Sequence, residues 1–204
     1  MSELEALGFV HGSLTCQNVL VADGGTTFKV SDWGFQNKNI RYLALEMFAP
    51  LDALNSNQTP RGKGRASEGG DGGSSAAAGG GGAGAGGGGV DRAGGANAVN
   101  ALPLTHATDV WAYGLLIHEV MADGVPAYSA AWDDHQVRQK VEKGFRPSKP
   151  ELAPPALYDD VMTKCWVEDA STRPDFFWLR GELEEKAAAA QDRQEKKERQ
   201  QLKV

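Results

Sequence analysis

The feature that most constrains the fold is a glycine- and alanine-rich segment in the middle of the chain. Residues 54–103 include the run GGDGGSSAAAGGGGAGAGGGG and hold most of the 26 glycines of this 204-residue sequence. Side chains this small cannot bury enough apolar surface to offset the entropy of ordering the chain. We therefore predict a disordered insertion over 54–103, so that any folded core must come from the two flanking parts.

The flanking parts are long enough to build one core. Residues 1–53 and 104–182 together supply about 130 residues, a length at which a domain can bury a core of its own. Lengthening a surface loop from about 12 to about 50 residues costs only about 1.3 kcal/mol. The insertion therefore does not prevent its flanks from folding as one unit.

The first part is predicted to contain a short helix, a β-hairpin and a second short helix. A helical pattern at the N-terminus stops at Gly8, because glycine favours helix ends. The β-rich runs at 19–22 and 27–30 flank the sequence ADGG, whose Asp-Gly pair suits a tight hairpin turn.

The second part is predicted to be helical. Residues 105–121, THATDVWAYGLLIHEVM, are apolar almost all round the helical wheel, which indicates a buried helix. Thr108 or Asp109 is predicted to cap its start. Amphipathic helices are predicted in DDHQVRQKVEKG, PPALYDDVMTKCWV and PDFFWLRGELEEK, the last with Pro174 near its first turn.

Residues 183–204 form a charged tail of strong helix formers. Three oppositely charged pairs stand four residues apart, which stabilises a helix: Glu182 with Lys186, Asp192 with Lys196, and Glu195 with Arg199. Almost no apolar stripe follows the alanines. We predict a solvated helical extension, and a partner-binding tail is the alternative.

Charge and cysteine content restrict the class of protein. A net charge of -6 argues against nucleic-acid binding, which is typical of a basic surface. The two cysteines, Cys16 and Cys165, suit neither a disulfide framework nor a zinc site. The sequence contains no signal-peptide pattern and no apolar run long enough for a membrane segment. These features predict a cytoplasmic location.

Six short motifs occur in an order that is typical of one family. HGSLTCQN at 11–18 is similar to H-R-D-x-x-x-x-N, DWG at 32–34 to D-F-G, and ALE at 44–46 to A-P-E. Downstream, TDVWAYGLLIHEVM, MTKCW and RPDFFWL are similar to the F, H and final helices of tyrosine kinases. The chain thus resembles the C-terminal lobe of a protein kinase, most closely that of tyrosine kinases and their pseudokinase relatives.

The resemblance implies a fold and a division of the chain. The fold would be mainly α with a small β-hairpin, a kinase-like C-terminal lobe. Because Met1 falls inside what resembles helix E, the N-terminal lobe is expected to be absent. Residues 1–53 would hold the catalytic-loop, DWG and ALE segments, 54–103 the insertion, 104–182 helices F to I, and 183–204 the tail.

The resemblance also implies roles for the motif residues. Ser13 stands where the family has its catalytic aspartate, and Gly12 stands where it has arginine. Asn18 and Asp32 match the magnesium ligands, so the implied cofactor is Mg-ATP, provided that an N-terminal lobe is supplied. Structural roles are implied for six residues: His11, Trp33, Gly34, Glu46, Asp109 and Arg173.

Within that structural set, the resemblance implies particular contacts. His11 would lie under the Asp-Trp-Gly turn, with Trp33 against it. Asp109 would accept backbone hydrogen bonds from the loop at His11, and Glu46 would pair with Arg173.

Four functional hypotheses follow. The first is a catalytically deficient pseudokinase, because serine is a poor general base near neutral pH. The second is a binding module for a protein partner, a kinase or an adaptor, in signalling. The third is a partial sequence of an active ATP-dependent protein tyrosine kinase. The fourth is an unfolded remnant without activity.

Overall fold

The computed structural model describes residues 1–32, 39–56 and 103–202. Nearly all of the predicted insertion, together with Trp33 and Gly34, lies outside these described residues. The described part is mostly helical and contains one two-stranded antiparallel sheet. No helix in these three ranges is both long enough and apolar enough to span a lipid bilayer.

The N-terminal elements confirm the predicted order. Helix α1, Ser2–Ala6, ends just before Gly8, whose φ of +74° is the left-handed conformation that glycine tolerates. Strands β1, Val19–Ala22, and β2, Thr27–Val30, pair antiparallel, with Val19 opposite Val30 and Ala22 opposite Thr27. The prediction of a hairpin at these positions is therefore confirmed.

Helices make up most of the remaining structure. Helix α2 is Phe48–Ser56, α3 is His106–Met121 and α4 is Asp134–Glu142. A continuous helical run follows, formed by α5 (Pro155–Leu157), a π-helical turn (Tyr158–Met162) and α6 (Thr163–Cys165). Helix α7, Phe176–Gln201, ends the described chain.

Two predicted helix starts are displaced. Thr105, with extended backbone angles, is the N-cap of α3, and its N–H donates to Thr108 Oγ1 at 3.2 Å. The prediction of Thr108 or Asp109 as the cap is therefore wrong, since both lie inside the helix. Asp175 caps α7 by accepting a hydrogen bond from the Trp178 N–H at 2.7 Å, so Pro174 precedes the helix.

Helix α3 forms the centre of the core, as its apolar sequence predicts. Trp111 is fully buried, and two guanidinium groups contact its ring, with distances to the ring centre of 4.7 Å for Arg146 and 4.9 Å for Arg173. Such cation–π contacts are strongest where water is excluded. The loop before α5 and the turn before α7 are thereby joined to the same face of α3.

Gly114 allows the segment containing α6 to approach α3 closely. A Cβ atom at Gly114 would lie 2.6 Å from Trp166 Nε1 and 2.7 Å from the Cβ of Cys165.

We expect Gly114→Ala to lower the free energy of unfolding by about 1 to 3 kcal/mol, as overpacking does. Gly181→Ala is the control for urea denaturation, because a Cβ in this part of α7 meets no atom within 4 Å. It should raise stability by up to about 1 kcal/mol, and a similar gain at Gly114 would contradict the packing argument.

The charged tail continues α7 rather than forming a separate element. Its three predicted pairs are confirmed, with N–O distances of 3.3 Å for Lys186 and Glu182, 2.6 Å for Lys196 and Asp192, and 3.7 Å for Arg199 and Glu195. Exposed pairs of this kind add little stability individually. They keep the end of α7 helical while its side chains face water.

Candidate functional site

The loop that begins at His11 is bound to the first turn of α3 through one carboxylate. The N–H of His11 donates to Asp109 Oδ2 at 2.6 Å, and the N–H of Gly12 donates to Oδ1 at 2.8 Å. Gly12 adopts a φ of +73°, which allows both N–H groups to point the same way. Burial raises the pKa of Asp109, and the two N–H donors partly offset that rise.

The His11 side chain forms a hydrogen bond with the backbone of the same loop. Its ring is completely buried, and Nδ1 accepts a hydrogen bond from the Ser13 N–H at 3.2 Å. Burial lowers the pKa of His11, although the carboxylate of Asp109 opposes this effect. The ring is therefore neutral near pH 7 and carries its proton on Nε2, because Nδ1 acts as an acceptor.

Ser13 is bound to Asn18. The Nδ2 group of Asn18 donates to the Ser13 carbonyl at 2.7 Å and to Ser13 Oγ at 3.0 Å. Ser13 is also nearly buried. The Ser13 hydroxyl is therefore held within the loop by Asn18.

Asn18 also connects this loop to the strand that leads to Asp32. The Asn18 carbonyl accepts from the Ser31 N–H at 2.8 Å and from Ser31 Oγ at 3.3 Å. Asp32 follows directly, is exposed, and has a φ of +57°, which is uncommon outside glycine. The hairpin therefore brings Ser13, Asn18 and residue 32 to one edge of the described structure. Trp33 and Gly34 lie outside the described residues, so their contacts with His11 stay predictions.

Two side chains at this edge, Asn18 and Asp32, carry oxygen atoms of the kind that magnesium prefers. Because Asn18 uses its amide nitrogen for both bonds to Ser13, its Oδ1 atom and the Asp32 carboxylate are the oxygen donors of this edge. Among the described residues, no group of three or more His, Cys, Asp or Glu side chains could hold a metal ion. Magnesium binding by one or two protein oxygens plus substrate phosphates is common, so the pair fits a nucleotide-dependent ion only.

Glu46 and Arg173 join three separate parts of the chain. Arg173 donates from Nη1 to Glu46 Oε1 at 2.7 Å and from Nη2 to Oε2 at 2.8 Å. The Arg173 side chain is completely buried, whereas that of Glu46 is 33% exposed. Arg173 also donates to three carbonyl groups, those of Ala107, Val167 and Glu168. This pair fixes the segment before α2 against the start of α3 and the turn before α7.

Sequence reasoning missed a polar contact beside the loop. Tyr42 donates its hydroxyl hydrogen to Glu119 Oε2 at 2.7 Å, and burial raises the pKa of Tyr42. Both residues line a cleft of about 370 Å³ that also includes Cys16. Burial and the nearby Glu119 raise the pKa of Cys16 to about 12, so its thiol is unreactive near neutral pH. Nothing local in the sequence indicates contacts between residues this far apart.

A family model for protein tyrosine and serine/threonine kinase matches residues 96–183. Together with the kinase relatives described next, this match means that the chain contains a protein kinase-like domain. The domain is similar to those of tyrosine kinases, which are among the relatives.

Three relatives illustrate the similarity. The chain is 29% identical over 183 residues to human tyrosine-protein kinase Srms, covering 90% of this chain and 29% of the relative. It is 40% identical over 75 residues to platelet-derived growth factor receptor alpha of Takifugu rubripes, covering 37% of this chain and 7% of that protein. It is 40% identical over 77 residues to tyrosine-protein kinase Abl of Drosophila melanogaster, covering 38% of this chain and 5% of that protein. The chain thus spans less than a third of each relative.

Proposed function

We propose that this tyrosine kinase-like domain is catalytically deficient and acts in signalling through protein–protein interaction. The observation that carries the proposal is the environment of Ser13. Its hydroxyl oxygen is nearly buried and accepts a hydrogen bond from Asn18 at 3.0 Å. An alcohol held in this way does not accept a substrate proton near pH 7, whereas general-base assistance contributes about 10²- to 10⁴-fold to a rate.

The rest of the loop supports a structural function. Asp109 and His11 both use their polar atoms to hold backbone N–H groups. In the structural set, Glu46 and Arg173 act together as a bidentate pair. We assign these four residues to the stability of the domain, and we extend the same proposal to Trp33 and Gly34. The kinase-like unit would comprise residues 1–53 and 104–182.

An active ATP-dependent protein tyrosine kinase is the second candidate, and one observation favours it. The Asn18 carbonyl accepts a hydrogen bond from the N–H of Ser31, the residue before Asp32, so the two candidate magnesium ligands stand on neighbouring segments. When bound, Mg-ATP would supply the transferable phosphoryl group. This chain would contribute two oxygen ligands, and the other contacts would come from an N-terminal lobe.

The interaction proposal implies a protein partner, such as a kinase or an adaptor, in the cytoplasm. It does not involve nucleic acid, because the chain carries a net charge of -6. The similarity to tyrosine-protein kinases Srms and Abl supports a function in signalling.

A phosphotransfer assay on the natural full-length product tests the proposal. With Mg-ATP labelled at the γ-phosphate and a Glu/Tyr copolymer as substrate, we expect the unmodified protein to transfer no more label than Asp32→Ala. Ser13→Asp should raise transfer by about 10²- to 10⁴-fold if the missing carboxylate is the limiting defect. Transfer by the unmodified protein above the Asp32→Ala background would instead support the active-kinase candidate.

A further inference from the structure

One flank of helix α4 lines an open recess of about 400 Å³. Trp132, just before the helix, forms one end of the recess. The other lining residues are Gln136, Gln139, Lys140 and Lys143. These four are spaced three, four and seven positions along the chain from the first of them, so they share one side of the helix over about 10 Å of its length. The recess is therefore a strip of polar side chains beside a single aromatic ring.

The packing of α4 leaves this strip at the surface. Val137 and Val141, one turn apart, are buried in the core and fix which side of the helix faces inward. Gln136 and Lys143 are exposed, and Lys140 is partly buried. A ligand can therefore reach the strip without any change in how α4 packs.

The charges on the two flanks of α4 are arranged differently. On the flank away from the recess, Arg138 pairs with Glu142 at 2.9 Å and with both carboxylate oxygens of Asp52 in α2. On the recess flank, neither Lys140 nor Lys143 forms an ion pair with any residue in the described ranges. The recess thus presents two positive charges that the described part of the domain does not neutralise.

The acidic residues at the start of α4 have other partners. Asp133 Oδ1 accepts a hydrogen bond from the Gln136 N–H at 2.8 Å, and Asp134 Oδ1 lies 3.6 Å from Arg41 Nε. Gln136 Oε1 accepts from the Asp133 N–H at 3.0 Å, which leaves the amide NH₂ group of Gln136 as a donor. The recess therefore combines positive charge with hydrogen-bond donors, and both are complementary to carboxylate groups.

Trp132 adds a fixed aromatic surface next to these charges. Lys140 Nζ lies 4.4 Å from the centre of its ring, and the Phe145 ring meets it edge-on with centres 5.2 Å apart. The Trp132 carbonyl accepts a hydrogen bond from Arg41, and its N–H donates to the Ser129 carbonyl at 3.1 Å. Tryptophan is enriched among the residues that dominate binding energy at interfaces, and a ring already held in place loses little freedom on binding.

We propose that this recess binds an acidic segment of a partner protein. Two carboxylates of the segment meet Lys140 and Lys143, and an apolar side chain beside them contacts Trp132. Complementary charge carries the choice of occupant. The inference specifies the partner in the interaction proposed above and rests on that proposal.

Two unpaired positive charges suit a short acidic peptide better than a nucleic acid or a lipid surface. Nucleic-acid affinity depends on many phosphate contacts and a basic surface, whereas this chain carries a net charge of -6. Attraction to anionic lipids likewise grows with the number of basic residues near the membrane. A peptide needs only the local match at the recess.

Binding of a designed peptide tests the inference on the whole chain. The probe is a short fluorescein-labelled peptide with two glutamates and a neighbouring leucine. In the control peptide, glutamine replaces each glutamate, which keeps the size and removes the charge. We expect the glutamate peptide to raise fluorescence anisotropy saturably and the glutamine peptide to bind at least about tenfold more weakly. Raising the ionic strength from about 0.15 M to about 1 M should weaken the glutamate peptide, because the screening length falls from about 8 to about 3 Å.

Charge reversal in the recess supplies the protein variants. Lys140→Glu and Lys143→Glu should each weaken binding of the glutamate peptide by at least about tenfold and favour a peptide with lysine in place of glutamate. Lys197→Glu is the matched control, because it changes the net charge equally at an exposed position of α7 that does not line the recess. Circular dichroism and urea denaturation verify folding, and the exposed Lys143 provides the test if Lys140→Glu is unstable.

Four outcomes would overturn the inference. Two are equal binding of the glutamate and glutamine peptides, and no binding of the glutamate peptide up to about 1 mM. The third is an equal loss of binding in Lys197→Glu and Lys143→Glu, which would indicate attraction to the whole chain. The fourth is tighter binding to phosphatidylserine vesicles or to single-stranded DNA than to the peptide, abolished by Lys143→Glu. Because peptide binding does not depend on Ser13 or Asp32, failure here is distinguishable from failure of the phosphotransfer prediction.

Discussion

Replacing Arg173 by methionine is expected to lower the free energy of unfolding by about 3 kcal/mol, the lower end of the cost of removing one partner of a buried ion pair, because Arg173 is buried but Glu46 is 33% exposed. The change leaves the Glu46 carboxylate without its bidentate donor. It also removes the donor to three carbonyl groups and the cation that covers one face of Trp111. Urea denaturation followed by tryptophan fluorescence measures the loss.

Two further variants separate the effect of the Arg173 charge from that of its planar geometry and its buried position. Arg173→Lys keeps the charge but not the planar fork, so we expect an intermediate loss. Arg180→Met is the matched control, because Arg180 is exposed and forms its ion pair with Glu184 on its own helix. Its urea midpoint should stay near that of the unmodified chain. A loss for Arg173→Met no larger than for this control would contradict the structural role assigned to the pair.

Local sequence patterns predicted the secondary structure well, and the reason is physical. Apolar periodicity and turn-forming residues act over a few positions, so the position of the hairpin and the buried α3 could be deduced from nearby residues alone. The exact start of α3 could not, because Thr105, Thr108 and Asp109 are all good capping residues. Tertiary structure decides among them, since the Asp109 carboxylate binds the loop at His11.

The contacts of the candidate site were less accessible from the sequence. Pairing of Glu46 with Arg173 was suggested only by the family resemblance, since 127 positions separate them. No local sequence pattern predicts the hydrogen bonds of Glu5 with Phe176 and of Tyr42 with Glu119. The two hydrogen bonds from Asn18 to Ser13 depend on the backbone path of the loop, which the motif spacing alone does not fix.

If the proposed loss of catalysis is correct, the loop keeps contacts that support its shape without supplying a catalytic base. Asp109, His11 and Asn18 each hold a backbone or side-chain group of the loop, and none of these bonds requires a carboxylate at Ser13. A surface that is ordered in this way can bind a partner without transferring a phosphoryl group. A stable loop is therefore compatible with the proposed loss of catalysis.

Replacing Asp109 by alanine should show how far this loop depends on α3. The change leaves the N–H groups of His11 and Gly12 without their acceptor, and each unsatisfied buried group costs about 1 to 3 kcal/mol. We expect the free energy of unfolding to fall by about 2 to 4 kcal/mol, the lower part of the range for two such groups because Gly12 is only partly buried. Asp109→Asn keeps one acceptor oxygen and should lose less.

Hydrogen exchange and pH dependence make the Asp109 prediction specific. The amides of residues 11 and 12 should exchange faster in Asp109→Ala, but not in Asp133→Ala, which removes an exposed cap of α4 and costs about 1 kcal/mol. Because burial raises the pKa of Asp109, the folded state holds this proton to higher pH than the unfolded state. The contribution of Asp109 to stability therefore decreases as pH rises through that raised pKa, and Asp109→Ala should lack this decrease. Unchanged exchange at residues 11 and 12 would mean that the loop keeps its conformation without α3.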